Sequence, residues 1–120
     1  MTPIPVEIRL NKKSRLLFVN FDDGSDFCFT CEYLRVHSPS AEVRGHGPGQ
    51  ETLQTGKENV QITEIKPIGH YAVCLVFDDG HDSGLYSWSH FYELGTNMES
   101  NWQRYLDRLT EAGYARQEPN

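Results

Sequence analysis

The stretch Tyr71–Leu94, YAVCLVFDDGHDSGLYSWSHFYEL, decides the fold. Residues 71–77 read as a strand. Asp79-Gly80 has the residues of a two-residue type I′ hairpin turn. That register pairs Asp78 with His81, Phe77 with Asp82 and Leu75 with Gly84. Ser87 is a preferred N-cap residue. Trp88, Phe91 and Tyr92 then fall at i, i+3 and i+4, on one helical face, and Gly95 ends the helix. The unit reads as strand, tight turn, strand, short helix.

An earlier stretch, Arg15–Val36 (RLLFVNFDDGSDFCFTCEYLRV), has the same grammar, with FDDG at Phe21–Gly24 as at Phe77–Gly80. An Asp23-Gly24 turn places Phe21 opposite Asp26, Val19 opposite Cys28 and Phe18 opposite Phe29. Both faces then carry apolar groups, so this hairpin is expected to be covered on both sides. Thr30 caps a short helix, Cys31 to Val36, which Ser38-Pro39 stops. Two copies are too few for a solenoid, which needs about three repeats or more. One fold containing two similar hairpin–helix units is the simpler reading.

Upstream, Val6, Ile8 and Leu10 alternate with Glu7 and Arg9, the pattern of a strand with one wet face, and residues 11–14 turn the chain. Residues 38–57 hold four glycines, Pro48 and little apolar periodicity. They read as an extended Gly-rich surface loop, with a short strand at 41–44. Val60–Ile65 alternates again, and Pro67-Ile68-Gly69 turns the chain into the second unit. Thr96-x-x-Glu99 is a capping-box pattern before a final amphipathic helix, about residues 97–112. Met98, Trp102, Tyr105, Leu106 and Leu109 form its stripe, and Gly113 is its C′ residue. A disordered tail is expected over 117–120. The fold class is α+β: one domain over 1–120, an antiparallel sheet of about six strands, two short helices and a C-terminal amphipathic helix.

Composition narrows function by exclusion. A 120-residue chain can bury about two-thirds of its extended surface, so it needs neither disulfide nor metal to fold. The net charge of −6 disfavours non-specific nucleic-acid binding and anionic membranes as partners. No window is long and apolar enough to span a bilayer, and the first residues show no secretory signal pattern. Three cysteines cannot complete a disulfide framework. A reducing, cytoplasmic setting is expected.

The candidate chemistry is sparse. Cys28-Phe-Thr-Cys31 has C-x-x-C spacing, but a structural zinc wants about four ligands, and only Cys74 remains. Buried or half-buried thiols are the better reading. Gly45–Gln50, GHGPGQ, lacks the Lys and hydroxyl of a phosphate-cradling loop. It reads as a contact loop, with Arg44, His46 and Gln50 as contact residues. His81, flanked by Asp78, Asp79 and Asp82, could join a metal site or be a plain turn histidine. No G-x-S-x-G elbow is present, and no base–nucleophile set is recognisable, so an enzyme is not expected.

The runs YLRVHSPSAEVRGHGPGQ (Tyr33–Gln50) and FDDGHDSGLYSWSHFYELG (Phe77–Gly95) resemble the small bacterial proteins called DUF971. These are similar to the N-terminal domain of gamma-butyrobetaine hydroxylase. The resemblance implies a mainly antiparallel α+β domain. In the hydroxylases this domain precedes a separate oxygenase domain that holds iron and 2-oxoglutarate. Nothing in these 120 residues corresponds to that second domain, so hydroxylase activity is not carried over. The hydroxylase N-terminal domain also holds a structural zinc on three cysteines and a histidine. The histidine is kept as His81, while the cysteine positions fall on Ser38, Ser40 and Val43. The zinc site is therefore expected to be lost. Related domains occur fused to P-loop iron–sulfur cluster carriers, which implies an accessory role in iron or iron–sulfur metabolism.

Two expectations follow. The first is a non-catalytic binding or adaptor module whose partner is a protein, such as an iron–sulfur cluster carrier. Its contact residues are Arg44, His46, Gln50, His81 and Asp82. The alternative is an iron-binding protein that uses His81 with nearby carboxylates or cysteines.

Overall fold

The computed structural model describes residues 3–45 and 51–117. Six strands and four helices follow one another: β1 (Pro5–Asn11), β2 (Leu16–Phe21), β3 (Asp26–Thr30), α1 (Cys31–Val36), α2 (Ala41–Arg44), β4 (Ile62–Ile68), β5 (Ala72–Phe77), β6 (Leu85–Ser87), α3 (Trp88–Thr96) and α4 (Met98–Glu111). The strands form two antiparallel three-stranded sheets, in the orders β1-β2-β3 and β4-β5-β6. Each sheet is one copy of the hairpin plus the strand preceding it.

The two FDDG sequences recur because each residue does the same work twice. Phe21 N–H donates to Ser25 O (2.8 Å) and Gly24 N–H to Phe21 O (3.1 Å). Phe77 N–H donates to His81 O (2.9 Å) and Gly80 N–H to Phe77 O (3.3 Å). The first aspartate ties in the neighbouring strand. Asp22 exchanges bonds with Ile4, and Asp78 with Gln61. The second aspartate accepts the N–H two residues on, from Ser25 and from His81. Gly24 and Gly80 have φ of 89° and 88°, while neither Asp23 nor Asp79 is left-handed. These are three-residue loops with a bulge glycine, not type I′ turns.

The extra loop residue corrects the first hairpin's register. Leu17 lies opposite Phe29, Phe18 opposite Cys28 and Val19 opposite Phe27. One face is buried rather than both: Leu17, Val19, Phe21 and Phe29 point inward, and Phe18 is half-buried with the Arg9 guanidinium 4.3 Å over its ring. In the second hairpin Cys74 lies opposite Leu85, the expected offset, because residues 81–84 are irregular and restore it. Val6 is exposed, since a register shift between Pro5 and Glu7 turns it outward. Strand β4 begins later and ends later than the alternation suggested. It carries Pro67 within it, tolerated on an edge strand.

Both sheets turn their apolar faces onto one core. Leu17, Val19, Phe21 and Phe29 meet Ile62, Val73, Leu75 and Phe77, with Leu34 from α1 and Phe91 and Leu94 from α3. Thr30 and Ser87 cap α1 and α3 as expected, accepting from Tyr33 N–H and His90 N–H. Gly95 does not end α3, which runs to Thr96. A Cβ on Gly95 would sit 2.5 Å from the Phe27 ring, so the glycine lets that ring lie against the helix. No capping box forms at Thr96; Asn97 precedes α4 without a side-chain cap bond. At the other end Gly113 N–H donates to Thr110 O and Tyr114 N–H to Leu109 O, a Schellman motif with Gly113 at φ 76°. Helix α4 packs its Tyr105 and Leu109 against Val36 in a second, smaller cluster.

Candidate functional site

Residues 41–44 are a single helical turn, not a strand. Ser40 caps it, accepting from Glu42 N–H, and Val43 anchors it to the body. This turn covers the second hairpin loop and shuts His81 in. His81 is 4 % exposed. Its Nδ1 lies 3.1 Å from Glu42 Oε2 and its Nε2 2.8 Å from Ser38 Oγ. A carboxylate only accepts, so Nδ1 carries the proton, and neutral Nε2 accepts from the Ser38 hydroxyl. Ser38 Oγ in turn accepts Ser40 N–H at 3.2 Å, and Ser40 Oγ lies 2.8 Å from Ser83 Oγ.

The structure thus brings Ser38 and Ser40 to the corner of His81, 43 residues beyond Ser38, with Val43 on the adjoining turn. Their donor set does not fit the zinc of the hydroxylase domain. Two hydroxyls and a valine replace three thiolates, and the free nitrogen of His81 is occupied by Ser38. Among the described residues, no group of three or more His, Cys, Asp or Glu is placed to hold a metal. The cysteines do not converge either. All three are free thiols, with Cys28 exposed and Cys31 and Cys74 buried. Burial raises the proton affinity of the Cys31 and Cys74 thiols, which disfavours their thiolates.

Ser38, His81 and Glu42 have the atom order of a nucleophilic triad. Access rules the chemistry out. Ser38 is 1 % exposed, and a Cβ on Gly84 would lie 2.5 Å from its Oγ. No substrate carbonyl can approach a hydroxyl so covered. The linkage holds the α1–α2 connection onto the hairpin loop.

Asp79 closes the loop's other side. Its Oδ2 accepts from Arg35 Nε (2.9 Å) and Lys57 Nζ (2.6 Å). Burial pushes the Asp79 carboxyl up, but the Lys57 and Arg35 bonds outweigh it and hold the group below its ordinary value. Arg35 Nη1 is buried without a partner. Of the expected contact residues, Arg44 and Asp82 are exposed, whereas His81 is inside. His46 and Gln50 lie outside the described residues. The sequence reading missed Glu42 and Asp79 as the partners that define His81's surroundings. The repeated second aspartate of FDDG was the available signal for Asp79.

Three histidines make stability depend on pH. Burial depresses His37, His81 and His90 below the ordinary value, with Arg104, Arg35 and Arg44 respectively adding to it. Opposing bonds from Tyr33 O, Glu42 and His37 O do not cancel the shift. Between the folded and unfolded values the unfolded chain binds more protons. Stability present above about pH 6.5 is therefore lost as pH falls toward the folded values. Urea midpoints should drop between about pH 7.5 and pH 5.5, before the carboxylates titrate. Equal midpoints at the two pH values would show that these rings are not held neutral.

The fold is thus a two-sheet α+β scaffold with a buried, hydrogen-bonded polar corner at His81. The model for gamma-butyrobetaine hydroxylase-like N-terminal domains matches residues 8–92, and the chain belongs to that family. Two proteins with NMR solution structures share 50 % and 45 % identity, with TM-scores of 0.84 and 0.83. They cover 99 % and 100 % of this chain, and the matches span 89 % and 94 % of theirs. A crystal structure from Acidithiobacillus ferrooxidans, of a protein of unknown function in the DUF971 family, is 40 % identical with a TM-score of 0.64. It covers 76 % of this chain and 91 % of its own. No curated protein matches the sequence.

Proposed function

We propose that the domain is a non-catalytic binding module that recognises another protein through the surface of α2 and the second hairpin loop. The observation behind this is the locked corner itself. Buried His81 fixes α2 onto the loop through Glu42 and Ser38, and the Ser40–Ser83 contact fixes it a second time. A rigid backbone there presents exposed Arg44 and Asp82 with little ordering left to do on binding. The buried linkage serves shape, not chemistry. Family company makes an iron–sulfur cluster carrier the partner class we favour. Iron held by His81 has no support in the geometry, since both ring nitrogens are engaged.

The test is capture of partners from lysate of the source cells by the full chain and by an Arg44→Glu/Asp82→Lys variant. The reading expects a stoichiometric protein partner that the wild type retains and the variant loses. If no retained protein depends on these two residues, the reading fails.

A further inference from the structure

Beside α2 an open cleft of about 330 Å³ lies against α1, α3 and α4. Arg44 on α2 and Arg104 and Arg108 on α4 line it, with His37 and His90. The chain has 17 acidic and 11 basic side chains, so three arginines in one cleft run against its overall charge. Arg104 and Arg108 are four apart on one helix, a spacing at which like charges repel. None of the three has a carboxylate partner among the described residues.

Their donors are largely unused. Arg104 Nη2 donates to Asn101 Oδ1 at 2.7 Å and Arg108 Nη2 to Glu51 O at 3.2 Å. The Arg44 N–H donates to Ser40 O at 2.9 Å, but its guanidinium makes no hydrogen bond to a described residue. Each guanidinium has several further N–H groups in a fork that suits carboxylate and phosphate oxygens. Glu51 and Glu93 also line the cleft, but Glu93 is engaged by Asn97 Nδ2 at 3.2 Å. With the histidines neutral the lining carries one net positive charge. The field reaches the rings: after burial, the Arg44 charge is the main influence lowering His90, and Arg104 acts on His37 in the same sense.

We propose that this cleft binds an oxyanion, a carboxylate or phosphate carried on a small ligand, between Arg44 on one wall and Arg104 and Arg108 on the other. This deepens the binding reading above, on which it rests for its purpose, by naming the chemical group taken next to α2. The anion would neutralise the arginine repulsion and accept the unused donors in one step. A bound anion would also raise the proton affinity of His90.

The experiment is an amide and imidazole NMR titration of the full chain at constant ionic strength, with inorganic phosphate in one arm and citrate in the other. Saturable shifts at His37, His90 and Arg104 in either arm, with Kd of about 1 mM or tighter, are expected, together with a rise in the His90 titration midpoint. Arg104→Gln/Arg108→Gln should weaken binding at least about tenfold. Lys66→Gln, on β4, should not change it. Saturation by phosphate alone or by citrate alone identifies the group. Shifts that never saturate in either arm, or that survive in the double variant with its fold intact, overturn the proposal. Oxyanion binding by a natural chain that retains no protein partner dependent on Arg44 and Asp82 would count against the protein-binding reading and leave the cleft assignment standing.

Discussion

Arg116→Ala should destabilise the domain by about 3 kcal/mol, the low end for breaking a buried ion pair by removing one partner. Glu32 sits in the first turn of α1 and is 5 % exposed. The Arg116 guanidinium meets both its oxygens, Nε on Oε2 at 2.8 Å and Nη2 on Oε1. It also lies 5.3 Å from the centre of the Trp102 ring. Next along, Gln117 N–H donates to Glu58 Oε2 at 2.8 Å, and Tyr114 OH to the same carboxylate at 3.1 Å. The segment after α4 is therefore a strap that neutralises a buried charge under α1. The Arg116 side chain keeps 22 % exposure, which is why the upper end of the range is not expected. Arg116→Lys should cost about 1 kcal/mol, because an ammonium keeps the charge but loses the two-point fork. Urea unfolding measures both. A loss below about 0.5 kcal/mol for the alanine variant would mean the strap carries no such charge pairing.

His81→Ala should cost about 2–3 kcal/mol, since it removes two hydrogen bonds and leaves the Ser38 hydroxyl buried without its acceptor. Ser38→Ala should cost less, about 1 kcal/mol, because the ring keeps Glu42 and only a small group is lost. A chelator should leave the midpoint of the natural chain unchanged, as hydrogen bonds hold this corner. Substituting cysteine at 38, 40 and 43 together should make stability depend on zinc, as binding to a folded site adds directly to folding free energy. If a chelator lowered the midpoint of the natural chain, a metal would be holding His81 instead.

The local signals were read well where one residue acts on its neighbours. Thr30, Ser87 and Gly113 end helices through bonds within a few residues, so their types suffice to place the caps. The FDDG repeat marked both turns but not their type, because Asp-Gly serves two-residue and three-residue loops alike. Choosing between them takes the backbone φ of the aspartate. Gly95 looked like a helix stop because glycine usually weakens helices. Its reason was the Phe27 ring across the sheet, which no nearby residue announces. The candidate site was half legible. Resemblance singled out Ser38, Ser40, Val43 and His81, and the structure brings Ser38, Ser40 and His81 to one corner. Glu42 was invisible because residues 41–44 lack any periodicity long enough to distinguish a single helical turn from a strand.

By itself the sequence determined the order of elements apart from α2, the two hairpin–helix units, the family, and that positions 38, 40 and 43 carry no thiolates. These follow from residue types and short spacings, which act locally. Tertiary structure alone decided that six strands divide into two sheets around one core. It also decided that His81 is sealed between Ser38 and Glu42, and that three arginines from two helices face one cleft. Each of those depends on which distant surfaces pack together, and packing is set by the sum of many weak contacts that no single stretch of chain encodes.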